Sequence, residues 1–161
     1  MQVVVIADTH LRGGIAPLPL SLRRALESSD LLLHAGDVVS AQAIYELRAA
    51  VALQAVLGNN DGELTGILPT ELRLFLEGLD VAMVHDSGAR RGRSRRLVRR
   101  FPGAALVVFG HSHIPLFEEG ETGQVLLNPG SPTQRRSQPR PSFARMRIEA
   151  GVIATAEIVE L

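Results

Sequence analysis

The sequence predicts an α/β fold with mixed strand directions, and three observations carry the prediction. Short apolar runs, "VVVIAD" (3–8) and "LLLHAGD" (31–37), have the character of buried strands. Between them "LPLSLRRALESS" has helix-like spacing, which makes a strand-helix-strand unit. Later the pattern changes, because "ELRLFLEGLDVAMVH" reads as two strands around the turn Glu77-Gly78.

The remaining elements follow in order. "AQAIYELRAA" reads as a helix and "VALQAVLGN" as the strand after it, a second unit of the same kind. "GRSRRLVRRF" is expected to be a helix with Leu97, Val98 and Phe101 on its inner face, leading into the strand "AALVVFG". "PLFEEGETGQVLLNPGS" suggests a hairpin turning near Gly120 to Gly123, and "SFARMRIEAGVIATAEIVEL" a last pair of strands turning at Ala150-Gly151.

Composition sets the bounds. A chain of 161 residues with 45% hydrophobic and 21% charged residues fits one globular domain, here 1–161, and argues against disorder. No cysteine is present, so a metal site would have to use imidazole, carboxylate and amide groups. The first apolar run is short and has no basic start, so it reads as a strand and not as a signal peptide or membrane span. A cytoplasmic protein without membrane attachment is the expectation. With 17 basic and 17 acidic residues the net charge is zero, which removes the broad positive field of a non-specific nucleic-acid binder. The seven arginines from Arg90 to Arg100 are read as the solvated face of a helix, since no stacking aromatics are interleaved with them.

The apolar runs end in chemistry. They close on Asp8-Thr9-His10, Gly36-Asp37, Gly58-Asn59-Asn60-Asp61, His85-Asp86 and Gly110-His111-Ser112-His113. Beyond the carboxyl ends of strands, loops bring residues distant in sequence together. His111 and His113, at i and i+2, would lie on one side of an extended chain and so converge on one object. The glycines before Asp37, Asn59 and His111 are expected to let the backbone turn sharply. Taken singly, Asp8-Thr9-His10, Gly36-Asp37 and Gly58-Asn59-Asn60-Asp61 read better as a cap or turns, and only the G-H-S-H pair weighs evenly. Four of the five histidines at run ends, beside carboxylates and an amide, together point to a mixed nitrogen and oxygen metal site.

The ordered set D-x-H, G-D, G-N-x-D, H and G-H-x-H, followed by Asn128-Pro129-Gly130-Ser131, resembles the calcineurin-like metallophosphoesterase superfamily, and in particular its small single-domain bacterial and archaeal phosphodiesterases. The resemblance spans Asp8 to Ser131 and implies a four-layer α/β/β/α sandwich of two mixed sheets with a two-metal centre between them. It implies that Asp8, His10, Asp37 and His113 hold one metal, and that Asp37, Asn59, His85 and His111 hold the other. Two divalent ions are then the cofactor, with Mn²⁺ expected and Fe, Co²⁺, Ni²⁺ or Zn²⁺ compatible with the same donors. The implied reaction is hydrolysis of a phosphodiester by in-line attack of a hydroxide bridging the ions, with Asp37 touching both. A small phosphodiester or nucleotide-like substrate is expected, and homo-oligomerisation stays open. Phosphomonoesterase or nucleotide pyrophosphatase activity on the same site, and a protein-binding scaffold of the same fold, are the alternatives.

This chain departs from the family pattern at Asn60, where many relatives carry a histidine that acts on the leaving oxygen. Asn60 can donate a hydrogen bond but cannot act as a general acid. Leu11 and Asp86 stand where glycine is common in relatives. Arg12, Arg135 and Arg136, with Asn60, are candidates for contacting substrate phosphate, and His34 reads as a strand histidine that supports the site from behind. Asn128 to Ser131 is expected to border the site.

Overall fold

The computed structural model describes residues 1–161. Ten strands form two five-stranded sheets. The first has the order β10-β9-β1-β2-β3, from β1 (Gln2–Ile6), β2 (Leu31–His34), β3 (Leu53–Ala55), β9 (Ser142–Glu149) and β10 (Val152–Glu160). The second has the order β4-β5-β6-β8-β7, from β4 (Glu71–Leu76), β5 (Leu79–Val84), β6 (Leu106–Val108), β7 (Leu116–Glu119) and β8 (Val125–Asn128). β1, β2 and β3 run parallel, as do β5, β6 and β8, while β4, β7, β9 and β10 join antiparallel. Both sheets are therefore mixed, as expected.

Burial on both faces explains the continuous apolar runs. Val3 and Val5 enter a core with Leu33, Val81, Met83, Leu106 and Val108, which lies between the sheets. Val4 and Ile6 point the other way, into a second core shared with Leu22 and Leu26 of helix α1 (Leu20–Glu27) and Ile44 and Leu47 of helix α2 (Ala41–Ala50). A strand sandwiched in this way has no solvent face, so its sequence shows no alternation. Helix α3 (Arg93–Arg100) covers the far side of the second sheet, where Leu97 and Phe101 pack against Val84, Val107 and Phe109. Four layers result. Val98 is only half-buried, and the inner side of α3 instead includes Arg93, whose guanidinium lies 5.0 Å from the centroid of the Phe109 ring.

Local signals place the helices. Ser40 Oγ accepts the Ala43 N–H at 3.2 Å and caps α2, satisfying a donor that the first turn leaves free. α1 has no side-chain cap and is held by burying Leu22 and Leu26, four residues apart on one face. No helix is long and apolar enough to cross a membrane.

Candidate metal centre

The carboxyl ends of β1, β2, β3, β5 and β6 meet at one end of the sandwich. His85 Nδ1 bonds the Ala35 carbonyl at 2.7 Å across the gap between the sheets, and Gly110 N–H donates to the His85 carbonyl at 2.9 Å. Around that junction the donor atoms gather. His113 Nε2 lies 3.4 Å from Asp8 Oδ1, His10 Nε2 3.7 Å from Asp37 Oδ2, and His85 Nε2 3.5 Å from Asp37 Oδ2. Asn59 Oδ1 sits 3.0 Å from His85 Nε2 and 2.9 Å from His111 Nδ1. Donors bound to one ion at about 2.0 to 2.2 Å stand about 3 to 3.5 Å apart, the spacing seen here. All seven expected ligand residues are thus brought together. The donor atoms of Asp8, His10 and His113 lie within 4.8 Å of one another, and so do those of Asp8, Asp37 and His85. The second grouping draws Asp8 closer to His85 than the expected division of ligands does.

Tautomers follow from the outer contacts. His113 Nδ1 donates to the Gln134 carbonyl at 2.5 Å and His85 Nδ1 to that of Ala35, so each ring turns Nε2 toward the cluster. His85 Nε2 faces the oxygens of Asn59 and Asp37, so in the metal-free ring it meets them as a donor, and a bound cation would take the place of that proton. Asp8 Oδ2, His10 Nε2 and His113 Nε2 are buried without any hydrogen-bond partner. Buried polar atoms are almost always paired. Three orphans in one cluster, all of them electron-pair donors, fit a divalent ion.

The electrostatics agree. Burial raises the Asp8 carboxyl to about 7, with repulsion from Asp37 adding to the effect. Burial pushes Asp37 up as well, but hydrogen bonds from His85 and from the Asn60 backbone and side chain outweigh it and hold Asp37 well below the usual carboxylate range. His10 and His113 are lowered by burial, which keeps them neutral and able to bind a cation. For His85 burial acts downward, yet its bonds to Asp37 and Ala35 raise it. His34 is fully buried, lowered by that burial to about 3, and its Nε2 meets Thr9 Oγ1 at 2.9 Å, between Asp8 and His10.

The backbone at the ligands differs from the expectation. Asp8, His10, Asp37, His111 and His113 themselves adopt left-handed φ between 46° and 68°. His111 and His113 do not lie on an extended chain: β6 ends at Val108, and two left-handed residues aim His111 at Asn59 and His113 at Asp8. Of the three preceding glycines only Gly36 has positive φ, at 87°. Gly58 and Gly110 are required by proximity instead. A Cβ on Gly58 would fall 2.2 Å from Asp37 N, and one on Gly110 2.8 Å from Ala7 Cβ.

Four side chains support the candidate ligands from behind; Asn128 and Ser131 lie in the stretch expected to border the site, whereas no role for Asp61 or Thr133 was read from sequence. Asp61 accepts three backbone N–H groups from the loops that carry Asp37 and Asn59. Ser131 Oγ donates to the Asp8 carbonyl and Thr133 Oγ1 to that of Thr9, each at 2.7 Å. Asn128 Nδ2 donates to the Gly110 carbonyl at 2.9 Å. The carboxylate in G-N-x-D and the hydroxyl after N-P-G were the available signals.

The substrate candidates separate. Asn59, Asn60 and His111 are exposed and form the open side, whereas Asp8, Asp37, His85 and His113 are buried. Asn60 turns inward, its Nδ2 donating to Asp37 Oδ2 at 2.6 Å. Arg136 is exposed, donates to the His111 carbonyl at 3.4 Å and lies close enough to act on the charges of Asp8, His10 and His113. Arg135 donates to the Gln138 carbonyl at 2.7 Å within its own loop, and Arg12 is exposed with no side-chain hydrogen bond. In the arginine run, Arg96 binds the Ser87 and Ala89 carbonyls, Arg100 binds Glu71 and the Asp86 carbonyl, and Arg95 pairs with Glu121.

Two sheets with metal-type donors at their shared carboxyl end define a class. A calcineurin-like phosphoesterase superfamily domain matches residues 1–151, and the chain belongs to that family of metal-dependent phosphoester hydrolases. It is 36% identical over 162 residues to a probable metallophosphoesterase of Methanothermobacter thermautotrophicus, covering 99% of this chain and 92% of that one. A probable metallophosphoesterase of Methanocaldococcus jannaschii is 30% identical over 152 residues, covering 92% and 77%. The fold is shared with a structure described as a novel archaeal phosphodiesterase (TM-score 0.77, 20% identity, 100% of both chains). It is also shared with a single mutant of Vps29 from Entamoeba histolytica (TM-score 0.78, 23% identity, 100% and 99%).

Proposed function

We propose that this chain is a phosphodiesterase whose centre takes two divalent ions, Mn²⁺ foremost. The observation that carries the reading is the cluster of orphaned buried donors, Asp8 Oδ2, His10 Nε2 and His113 Nε2, beside Asp37. Asp8, His10, Asp37 and His113 would hold one ion and Asp37, Asn59, His85 and His111 the other. When bound, such ions activate water and polarise phosphoryl oxygens for in-line displacement.

The chain's own residues do the rest. Asp37 offers a carboxylate that stays ionised, and two oxygens, so one residue can serve both positions. Gln134 and Ala35 fix the tautomers of His113 and His85. Arg136 brings a permanent charge to the open side and is assigned to the substrate phosphate. Asn60, also on that side, supplies a hydrogen bond but no proton, so the leaving group must depart largely as an anion.

The test is metal analysis of the purified protein, followed by assay of bis-aryl and mono-aryl phosphates with added Mn²⁺. Faster turnover of the diester is expected. Preference for the monoester or for nucleotide pyrophosphates would move the specificity to those classes. Protein that binds no ion and cleaves none of them would leave the scaffold reading, for which the Vps29-like fold is the supporting observation.

A further inference from the structure

Asp61 takes no part in the reading above. Its carboxylate is buried, and in place of a cationic partner it has three backbone donors. Gly58 N–H and Asp37 N–H reach Oδ2 at 2.7 and 2.9 Å, and Val39 N–H reaches Oδ1 at 2.7 Å. These donors come from two loops that are separate in sequence. Each loop carries one of the exposed or shared donors of the centre, Asp37 or Asn59.

The loop from Gly36 to Val39 is the most distorted in the neighbourhood. Gly36, Asp37 and Val39 have φ of 87°, 60° and 87°. Valine is branched at Cβ and rarely takes that region, so something outside the loop must hold it there. Asp61 binds the N–H of both non-glycine residues in that conformation. The facing loop is pressed close enough that no side chain fits at Gly58. The link then closes on itself, since Asp37 Oδ1 and Oδ2 accept the Asn60 N–H at 2.8 Å and Nδ2 at 2.6 Å.

We infer that Asp61 is a positioning residue that locks the Asp37 loop to the Asn59 loop and so sets the distance and aim of two donors without touching an ion itself. Its consequence for metal binding rests on the proposed centre, whereas the locking of the loops does not. Asp61→Asn is the first variant. Whichever way the amide turns, its NH₂ opposes a backbone donor, either Val39 or the pair Gly58 and Asp37. Asp61→Glu is the second; it keeps the charge but displaces it by one methylene. Asp30→Asn is the control, because Asp30 Oδ2 also accepts a backbone N–H, that of Gln2 at 2.6 Å, at the opposite end of the sheet.

Amide exchange in the metal-free protein, Mn²⁺ calorimetry, and kcat and KM on an aryl phosphodiester are the readouts. In Asp61→Asn, protection at Asp37, Val39 and Gly58 should fall together by about tenfold or more. Its Mn²⁺ affinity should fall about 10- to 100-fold, the usual cost of removing a partner behind metal ligands. At saturating Mn²⁺, kcat should fall with KM little changed. Asp61→Glu should fold and lose Mn²⁺ affinity, which keeps the test open if the asparagine variant does not fold. Wild-type affinity and protection in either folded variant, or equal losses in Asp30→Asn, would overturn the inference. A wild-type protein that neither binds Mn²⁺ nor hydrolyses the diester would remove the proposed centre, and the exchange result would still decide the role of Asp61.

Discussion

Asp8 and Asp37 are two buried carboxylates pushed in opposite directions, and this contrast makes pH a probe of the site. Asp8 titrates at about 7 when folded, above its unfolded value near 3.9. Between those values the folded chain keeps a proton that the unfolded chain has lost, so this contribution to stability is full at acid pH and is lost as pH rises through 7. Asp37, held low, contributes stability above about pH 4 that is lost only in strong acid. Because His10 and His113 oppose the Asp8 trend near neutrality, the difference between wild type and Asp8→Asn isolates it. Urea midpoints of the metal-free proteins from pH 5 to 8 should show wild type losing stability relative to Asp8→Asn. A constant difference would contradict the raised Asp8. At the same scale, Asp37→Ala and His85→Ala should stay folded by circular dichroism and lose at least about 100-fold in diesterase rate, since removing a residue that only holds a metal ligand in place already costs about 10- to 100-fold. Asn60 predicts a steep dependence of rate on leaving-group pKa, which Asn60→His should flatten; a wild-type series already flat would show that no proton is missing.

Elements position these residues through contacts as short as backbone against backbone. Gly58→Ala puts a methyl 2.2 Å from Asp37 N and should cost about 3 kcal/mol, the upper end for overpacking, measured by denaturant unfolding. An Ala variant of equal stability would mean that the loops part easily. α3 shows how far an element's role departs from its pattern. Its arginines looked like a solvated face, yet Arg93 stacks on Phe109 and Arg96 binds two carbonyls of the loop after His85. The helix itself was legible, because Leu97 and Phe101 keep i, i+4 spacing. The contacts of its arginines were not, since their partners lie in loops whose course depends on the packing of the second sheet.

For the whole molecule, a centre that joins both sheets couples metal binding to folding. Ion binding at 100 times its Kd adds about 2.7 kcal/mol, which for a chain of this size raises Tm by about 5 to 10 °C. Thermal melts with Mn²⁺ and with chelator should differ by that amount, and identical melts would argue against ions between the sheets. Neutral net charge predicts no salt-dependent retention of DNA or RNA in filter binding.

By itself the sequence determined the strands, the helices and the order of candidate ligand residues at the run ends, because apolar runs, turn residues and side-chain chemistry are local properties. Only the tertiary structure decided that β9 returns to pair with β1 while β8 stays beside β6, and that His85 and Gly110 close against Ala35 and Ala7. It also decided that left-handed backbone, not an extended chain, aims His111 and His113, and that Asp61 binds two loops. Those outcomes depend on which surfaces bury each other across the sandwich, and such pairings are set by the free energy of the whole packed chain, which no short stretch encodes.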